Sequence, residues 1–447
     1  MLDKHVAIVG GGFSGTMLAV QLLRRGARVT LIERARPPGR GLAYGAADPI
    51  HLLNVRAGNM SAYPDDPGHF ARWLAGGGVE NSAPTFAPRR LYGDYVEEQL
   101  AGALAQAPGR FRHVAAAAVD VETGPGGAAV KLADGGSVEA DAAILAIGNL
   151  PPPPPPGIDP ATLPPGLYWG DPWAAGAIDG LVEEDVVLVI GTGLTMVDIV
   201  LLLDARGFRG RILALSRRGL VPLPHRDEPP AADRREEAPA ALDSALVREV
   251  RRRGEALGWR HSVDELRPFT QQLWRRADLK QRRRFIRHLR PWWDIHRHRI
   301  APQVHERIRA LIDAGQLHVG AGKLIEARAV EGGAAVRWRP RGAQAPERAL
   351  VTRIINCTGP EGDLARSREP LLRSLLERGS IRPGPIGLGV DADDDARVLG
   401  GDGSPNPRLY ALGPLTRGLW WEIIAVPDIR GQVAQVAQTL TAQQEQP

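Results

Sequence analysis

The sequence predicts an α/β fold made of two similar units and a mostly helical insertion. Residues 5–33 follow the order strand, glycine turn, helix, strand, and residues 186–216 repeat that order. Residues 242–314 have a mostly helical pattern with many arginines. Two strand–glycine–helix units so far apart predict two Rossmann-like dinucleotide-binding domains rather than an array of short repeats.

The size and composition are consistent with a multidomain globular protein. A chain of 447 residues is too long for one ordinary core, so two or more domains are expected. At 43% apolar and 24% charged residues, it has ample material for buried cores. No apolar run is long enough to span a membrane, and the first residues do not resemble a signal peptide. We therefore predict a cytoplasmic protein without a membrane partner.

The positive charge of the chain comes almost entirely from arginine. The net charge is +5, and 52 of the 56 basic residues are arginines. A GC-rich genome produces that bias without selection for any partner. Because no aromatic-basic motif accompanies the arginines, we predict no nucleic-acid partner.

Proline and strand patterns suggest where the domains meet. Six consecutive prolines, at 151–156, predict a stiff extended connector. We assign residues 1–160 and 350–447 to the first dinucleotide-binding domain. We assign 161–349 to the second, with the helical insertion at about 240–315. Further predicted elements are a helix at 92–107, a hairpin or meander at 111–132, a buried strand at 140–147, a loop at 226–240 and a helix at about 420–440.

The first glycine motif directly follows the apolar strand VAIV. Gly10 permits a tight turn, Gly12 leaves room for a pyrophosphate, and Gly15 lets the helix pack on the strand. Ser14 lies in the first helical turn, where the helix N-terminus favours phosphate charge. Glu33 ends the next strand, 18 residues after Gly15, where an acid can bind a ribose diol. The complete series predicts a dinucleotide site.

The second glycine motif departs from the first at two points. Gly191 and Gly193 open a helix after the strand VVLVI, but Met196 occupies the third glycine position. Thr195 offers a hydroxyl near the phosphates. The following strand ends in Arg217 and Arg218 instead of an acid. Arginines attract a 2′-phosphate, so we predict NADPH in preference to NADH, unless these are only solvated surface charges.

With both units in place, the chain resembles flavoproteins with two dinucleotide-binding domains, a group that includes flavin-containing and N-hydroxylating monooxygenases. More closely, it resembles a largely uncharacterised family of bacterial FAD/NAD(P)-binding proteins. The segments that carry the resemblance span most of the chain: VGGGFSG (9–15), GRGLAYG (39–45), HLLNVRAGNMS (51–61), RRLYGDYV (89–96), LAIGN (145–149), VIGTGLTMVD (189–198), LSRRGLVPLPH (215–225), WWDIHRHRIAP (292–302), INCTGP (355–360) and GLWWEIIAVPDIRGQ (418–432).

The resemblance implies which residues surround the cofactors. It implies FAD at the first glycine motif and Glu33, with the 39–61 segment near the flavin. It implies that strands cross into loops beside the cofactors, and that Gly413 and the helix after it cap the flavin, where a helix N-terminus stabilises negative charge. The candidate cofactor residues outside the glycine motifs are Arg40, Asn54, Met60, Gly148, Gly359 and Gly413.

One departure from the family pattern narrows the chemistry. Baeyer–Villiger and flavin-containing monooxygenases carry a histidine in a fingerprint between the two glycine motifs. The corresponding region here, GLYWGDPW (166–173), has none. Baeyer–Villiger oxidation is therefore not expected.

Few residues suggest acid–base chemistry, because the two cofactors carry hydride transfer themselves. Asn54 could hydrogen-bond the flavin or hold a turn. His298 would share a helical face with Asp294, as a substrate-orienting or proton-shuttling pair or as a structural ion network. Trp421 suits flavin shielding, an aromatic substrate wall or a core position, and Glu422 is a candidate base. No third His or Asp has metal-ligand spacing, so no metal is predicted.

Three functions remain open at this point. Cys357 is the one cysteine, so the chain has no dithiol of its own to receive electrons from a flavin. We predict an FAD- and NADPH-dependent monooxygenase that uses O2 on a small molecule, with hydroxylation of nitrogen as a candidate reaction. The alternatives are a reductase or dehydrogenase with an organic acceptor, and a basic flavin-binding module without turnover, suggested by the arginine run at 275–290.

Overall fold

The structure is a computed structural model that describes residues 4–35, 37–46, 48–226 and 235–442. The loop predicted at 226–240 lies largely outside the described residues, at 227–234.

Sixteen strands are found in the described part of the chain. They are β1 (His5–Val9), β2 (Arg28–Ile32), β3 (Phe111–Val114), β4 (Ala118–Gly124), β5 (Gly127–Leu132), β6 (Ser137–Ala140), β7 (Ala142–Leu145), β8 (Tyr168–Trp169), β9 (Val186–Ile190), β10 (Arg211–Ser216), β11 (Leu317–Val330), β12 (Gly333–Pro340), β13 (Glu347–Val351), β14 (Arg353–Asn356), β15 (Arg397–Leu399) and β16 (Pro405–Ala411).

Thirteen α-helices accompany these strands in the same described ranges. They are α1 (Phe13–Arg24), α2 (Gly41–Gly45), α3 (His69–Gly76), α4 (Arg89–Gln106), α5 (Leu194–Ala205), α6 (Asp243–Leu257), α7 (Trp259–Asp264), α8 (Thr270–Arg276), α9 (Leu279–Arg284), α10 (Arg290–Arg297), α11 (Pro302–Asp313), α12 (Pro370–Glu377) and α13 (Val426–Ala442).

The first sheet has the strand order β15-β16-β7-β1-β2-β3. Every pairing in it is parallel except that of β15 with β16. Helix α1 connects β1 to β2 and is almost completely buried, in contact with α4 and α13. Because β1, β7 and β16 are parallel neighbours, the loops after them meet at one edge of the sheet, where α/β proteins bind their ligands.

The second sheet has the order β13-β12-β11-β10-β9-β14-β8. Its central strands β14, β9 and β10 are parallel, and α5 links β9 to β10 as α1 links β1 to β2. A three-stranded antiparallel sheet, β4-β5-β6, covers residues 118–140. The hairpin or meander predicted at 111–132 is confirmed for β4 and β5 but wrong for β3, which pairs in parallel with β2 in the first sheet. The two parallel sheets confirm the predicted α/β class with two Rossmann-like units.

The region 243–313 is helical, from α6 to α11, and one turn of π-helix at Phe285–Leu289 joins α9 to α10. The last helix differs from the prediction, because α13 begins at Val426 instead of near Trp420. Glu422 has a φ of 69°, in the left-handed region, which a right-handed helix cannot contain. The preceding segment is a buried loop.

An ion pair joins the two units. Arg89, at the start of α4, donates from Nη1 and Nη2 to the Asp198 carboxylate of α5, at 2.6 and 3.0 Å. The Asp198 side chain is 8% exposed, so water screens this pair little. The buried His51 contacts the Asp198 carbonyl oxygen through Nε2, at 3.1 Å. These contacts hold α5 against the first unit.

Candidate functional site

The first candidate site is the glycine turn after β1. Gly10 has a φ of 110°, and a Cβ there would lie 2.3 Å from the Ala146 carbonyl oxygen. A Cβ at Gly15 would lie 2.0 Å from the Gly10 carbonyl oxygen. Both positions therefore require glycine if α1 is to begin this close to β1 and β7.

The same turn leaves the N-terminus of α1 open. Gly12 is the N-cap residue, and no side chain caps the helix there. The nearest atom to a Cβ at Gly12 would be the Gly41 Cα, at 3.8 Å. Gly413, after β16, lies against Ser14 of the first turn, since a Cβ at Gly413 would be 2.6 Å from Ser14 Oγ. The backbone N–H groups of this turn can therefore bind an anion in a space that backbone atoms line, and this arrangement binds a pyrophosphate in other proteins.

Glu33 lies beside this turn. Its Oε2 accepts a hydrogen bond from the Gly11 N–H at 2.7 Å, and its Oε1 accepts one from the Ala35 N–H at 2.9 Å. Each carboxylate oxygen has a second acceptor position, so Glu33 can also accept hydrogen bonds from ribose hydroxyls. The residues present fit a dinucleotide such as FAD.

The second candidate site repeats this geometry after β9. Gly191 has a φ of 112°, and a Cβ there would lie 2.2 Å from the Cys357 carbonyl oxygen. Gly193 is the uncapped N-cap residue of α5, and a Cβ there would have no atom within 4 Å. Thr195 is half-buried in the first turn. The fully buried Met196 takes the place that Gly15 has in α1.

The arginines after β10 lie beside the second site. Arg217 is exposed. Arg218 lies over the Trp292 ring at 5.9 Å, and its Nη2 approaches the His288 carbonyl oxygen at 3.4 Å. The helical insertion therefore helps to position Arg218. Both arginines follow β10, the parallel neighbour of β9, and a role in binding a 2′-phosphate stays a prediction.

The two strand-to-loop crossings lie side by side. Gly148 follows β7 and Gly359 follows β14, with φ values of 73° and 91°. A Cβ added at either glycine would have no atom within 4 Å. Just beyond them, Leu150 and Glu361 form an isolated β-bridge. The chain thus passes between the two units twice at one place, next to both glycine turns.

The predicted 39–61 segment is divided among different surroundings. Arg40 binds the carboxylates of Asp94 and Glu97 on α4, so α4 holds its guanidinium. Met60 is 4% exposed and belongs to the apolar core around α1. Asn54 is half-buried in a narrow cleft that Leu194 of α5 also lines, and its carbonyl oxygen contacts His225 Nε2 at 3.0 Å.

A buried ionic cluster forms where the helical insertion meets the loop before α13. Glu422 is 1% exposed; its Oε1 accepts from Trp293 Nε1 at 2.6 Å, and its Oε2 lies 2.9 Å from Arg297 Nε. His298 Nε2 lies 3.8 Å from both Glu422 Oε1 and Asp294 Oδ1. The structure therefore brings together Glu422 and His298, while Asn54 lies elsewhere.

The charges of this cluster follow from burial and pairing. Burial opposes ionisation of Glu422, but the charges of Arg297 and His298 and the Trp293 hydrogen bond outweigh it, so the Glu422 pKa is below its ordinary value. Burial lowers the pKa of His298, against the attraction of Glu422 and Asp294. Pairing therefore favours the ionised form of Glu422, and burial opposes protonation of His298.

Trp421 lies at the aromatic side of the same cluster. Its ring stacks on Trp274 with centroids 4.7 Å apart and meets Phe285 edge-on at 5.2 Å. The residue is 2% exposed, yet its Nε1 has no hydrogen-bond partner among the described residues. The sequence did not indicate Trp274 or Arg417, which both contact the Trp421 ring. Arg417 lies directly before the segment GLWWE (418–422).

Comparison with known proteins supports the first site. Residues 7–150 match a family described as FAD-NAD(P)-binding, so this part of the chain is an FAD/NAD(P)-binding domain. No curated protein sequence matches the chain. In the described residues we find no helix with the length and apolar character of a membrane span, and no group of three or more metal-ligating side chains.

Solved structures show the same fold over the whole chain. L-lysine 6-monooxygenase from Pseudomonas syringae has a TM-score of 0.69 at 17% identity, covering 99% of this chain and 100% of that one. Ornithine hydroxylase from Pseudomonas aeruginosa has a TM-score of 0.66 at 14% identity, covering 99% of both. Thioredoxin reductase from Lactococcus lactis has a TM-score of 0.55 at 13% identity, covering 99% of this chain and 100% of that one.

Proposed function

We propose that this protein is an FAD- and NADPH-dependent oxidoreductase, and more specifically a flavin monooxygenase that hydroxylates nitrogen on a small molecule. The observation that carries the proposal is the repeated glycine geometry. Gly10 and Gly191 have nearly equal φ values and the same close approach to the carbonyl of a neighbouring strand end. Two such turns suit two dinucleotides.

The first turn is proposed to hold FAD. The glycine turn and the first turn of α1 would donate backbone N–H groups to the pyrophosphate, through Gly10, Gly12, Ser14 and Gly15. The glycines leave space for it because they have no side chains, and the positive end of the α1 dipole favours its negative charge. The Glu33 carboxylate would accept hydrogen bonds from the ribose hydroxyls. Gly148 follows β7, the neighbour of β1, and an added Cβ there would have no atom within 4 Å, so this end of the sheet has room for the flavin. Gly413 follows β16, the next strand along, and lies against the first turn of α1.

The second turn is proposed to hold NADPH. Gly191, Gly193 and Thr195 would bind the pyrophosphate at the open end of α5. Arg217 and Arg218 would pair with the 2′-phosphate, which an acid at this position would repel. Gly359 lies where the chain returns to the first unit, close to Gly148 through the neighbouring bridge of residues 150 and 361. The adjacent crossings support a hydride transfer between the two cofactors.

The residues of the chain favour oxygen as the electron acceptor. Bound FAD and NADPH together supply hydride transfer and reaction with O2. Cys357 is the one thiol of the chain and is buried, and burial raises its pKa far above the usual range. No dithiol of the chain can therefore carry electrons onward. The likeness in fold to lysine and ornithine hydroxylases supports nitrogen as the atom that is hydroxylated.

Oxygen kinetics test the monooxygenase proposal. The holoprotein is reduced anaerobically with NADPH and mixed rapidly with oxygenated buffer. We expect the absorbance of oxidised flavin to return in more than one phase, because a monooxygenase site would shield its reaction with O2 from water until a substrate reacts. A single-phase return, unchanged by candidate amines, would count against monooxygenation.

The same cofactor sites also fit an NADPH-dependent reductase with an organic acceptor. The likeness in fold to a thioredoxin reductase favours this second candidate. It predicts fast anaerobic turnover with a quinone or a dye acceptor and no tight coupling of NADPH oxidation to oxygen uptake. Measuring both quantities in one preparation distinguishes the two functions.

A further inference from the structure

The loop after β10 is fastened to the second glycine turn. Thr192, in the middle of that turn, is 5% exposed, and its Oγ1 donates to the Leu220 carbonyl oxygen at 2.5 Å. Because a hydroxyl has one hydrogen, the 2.8 Å contact of the same oxygen with Ser216 Oγ is a hydrogen bond that Ser216 donates. The arginine pair at 217–218 lies within the loop that these two bonds close, so both arginines are held near the turn.

The chain that follows this loop is hydrogen-bonded to the end of α10 and to the residues after it. The Leu223 N–H donates to the Ile295 carbonyl oxygen at 3.2 Å, and the His225 N–H donates to the Ile300 carbonyl oxygen at 2.9 Å. These backbone bonds fix α10 of the helical insertion beside the loop that carries Arg218. Side chains of α10 therefore belong to the surroundings of the second candidate site.

Two adjacent tryptophans of α10 have different surroundings. Trp293 Nε1 donates to the buried Glu422 carboxylate at 2.6 Å, so this indole is built into the ionic cluster. Successive residues of a helix point about 100° apart, and Trp292 is 44% exposed. The Arg218 guanidinium lies 5.9 Å from the centre of the Trp292 ring. The Trp292 indole therefore presents open aromatic surface next to a cation of the second site.

An open indole beside a pair of guanidinium groups suits the adenosine 2′-phosphate half of NADPH. A purine ring stacks favourably on an aromatic side chain. The 2′-phosphate is attached to the ribose that carries the adenine, and it requires cations such as Arg217 and Arg218. Since Arg218 contacts the Trp292 ring, both requirements are met within one contact between two residues.

We propose that Trp292 packs against the adenine ring of NADPH, while Arg218 binds the 2′-phosphate beside it. That the nucleotide is NADPH rests on the proposed oxidoreductase function. The helical insertion then takes part in cofactor binding, because α10 supplies the contact to the base and the second unit supplies the contacts to the phosphates. Trp292 contributes affinity for NADPH and NADH alike, and Arg218 contributes to the choice between them.

Binding is measured by calorimetry without turnover, with NADP+ and NAD+ titrated into the flavin-loaded protein. The two ligands share the adenine and differ in the 2′-phosphate, so they separate the two proposed contacts. Trp292→Leu should weaken both ligands by a similar factor of about tenfold, because both lose the same contact to the base. Arg218→Met should weaken NADP+ about tenfold or more and NAD+ little, because only NADP+ carries the 2′-phosphate.

Two further variants show whether the ring of Trp292 is responsible. Trp292→Phe should keep most of the affinity, because phenylalanine retains an aromatic ring. Trp259→Leu is the matched control, since Trp259 is also 44% exposed and lies in the same insertion but stacks on His296. It should leave the binding of both ligands unchanged.

Three results would overturn the proposal. In the first, Trp292→Leu binds both ligands as tightly as the unmodified protein. In the second, it loses affinity for NADP+ alone, which would mean that Trp292 acts through Arg218 and does not contact the base. In the third, Trp259→Leu loses as much affinity as Trp292→Leu, which would trace the effect to the insertion as a whole.

Failure of this proposal is distinguishable from failure of the proposed function. If NADPH reduces the flavin and Trp292→Leu binds both nucleotides normally, the adenine contact is wrong and the oxidoreductase remains. If nucleotide binding depends on Trp292 but NADPH does not reduce the flavin, the adenine contact is supported and the oxidoreductase function is wrong.

Discussion

Replacing Gly193 by alanine tests whether the second glycine turn binds a dinucleotide. Gly193 has φ −87° and ψ −161°, which alanine adopts without strain, and an added Cβ would have no atom within 4 Å. The substitution should therefore leave folding intact. The new methyl group would stand in the open space at the N-terminus of α5, where the pyrophosphate is proposed to lie.

The size of the effect follows from the hydrogen bonds that the methyl group displaces. A hydrogen bond to a charged group contributes about 1.5–3 kcal/mol. Since about 1.4 kcal/mol changes a dissociation constant tenfold, loss of one such bond raises the Kd roughly ten- to hundredfold. We expect that increase for NADPH in Gly193→Ala, with FAD content and Tm unchanged.

The assay is the dependence of the anaerobic flavin reduction rate on NADPH concentration, with NADP+ binding by calorimetry as a second readout. Gly102→Ala is the matched control, because Gly102 lies in α4 and a Cβ there also has no atom within 4 Å. It should leave NADPH binding unchanged. A Gly193→Ala protein that is folded and yellow and binds NADPH normally would refute the assignment of this turn.

Three further changes test other parts of the account. Gly10→Ala should prevent stable FAD incorporation, since its Cβ would lie 2.3 Å from the Ala146 carbonyl oxygen; a yellow, stable variant would contradict this. The Arg217→Ala, Arg218→Ala double variant should raise the KM for NADPH roughly tenfold or more while changing that for NADH little, because each arginine–phosphate contact contributes about 1.5–3 kcal/mol; equal effects on both would refute the assignment. Burial lowers the pKa of His225, His296 and His298 below 6.5, so the unfolded chain binds these protons first and stability should fall as the pH drops through that value. Urea unfolding midpoints between about pH 7.5 and about pH 5.5 measure this trend, which His298→Gln should weaken; a midpoint that rises on acidification would contradict it.

The fold was predictable because its signals are local. Each Rossmann-like unit is specified by an apolar strand, a glycine turn and a following helix, and Gly10 and Gly191 are needed by contacts with the neighbouring strand end. The Met196 departure was visible too, and the structure accommodates it by burying that side chain. Short-range sequence order was enough for these features.

The cluster around Glu422 was only partly predictable because it is formed by long-range packing. Sequence spacing suggested the proximity of Asp294 and His298, four residues apart on one helical face. Nothing in the spacing indicated that Trp293 would bond Glu422, 129 positions away. The left-handed φ of Glu422 was equally hidden, since glutamate is not a residue type that marks a left-handed backbone position. Arg417 was overlooked for the same reason, because a lone arginine in an arginine-rich chain carries no local signal, and its position over the Trp421 ring is visible only in the structure.

Anaerobic titration of the purified protein with NADPH tests the central claim most directly. We predict a yellow protein whose flavin absorbance bleaches with about one equivalent of NADPH per FAD, and with NADH only at higher concentration. A protein that purifies without flavin and takes up none, or whose bound flavin neither nucleotide reduces, would contradict it.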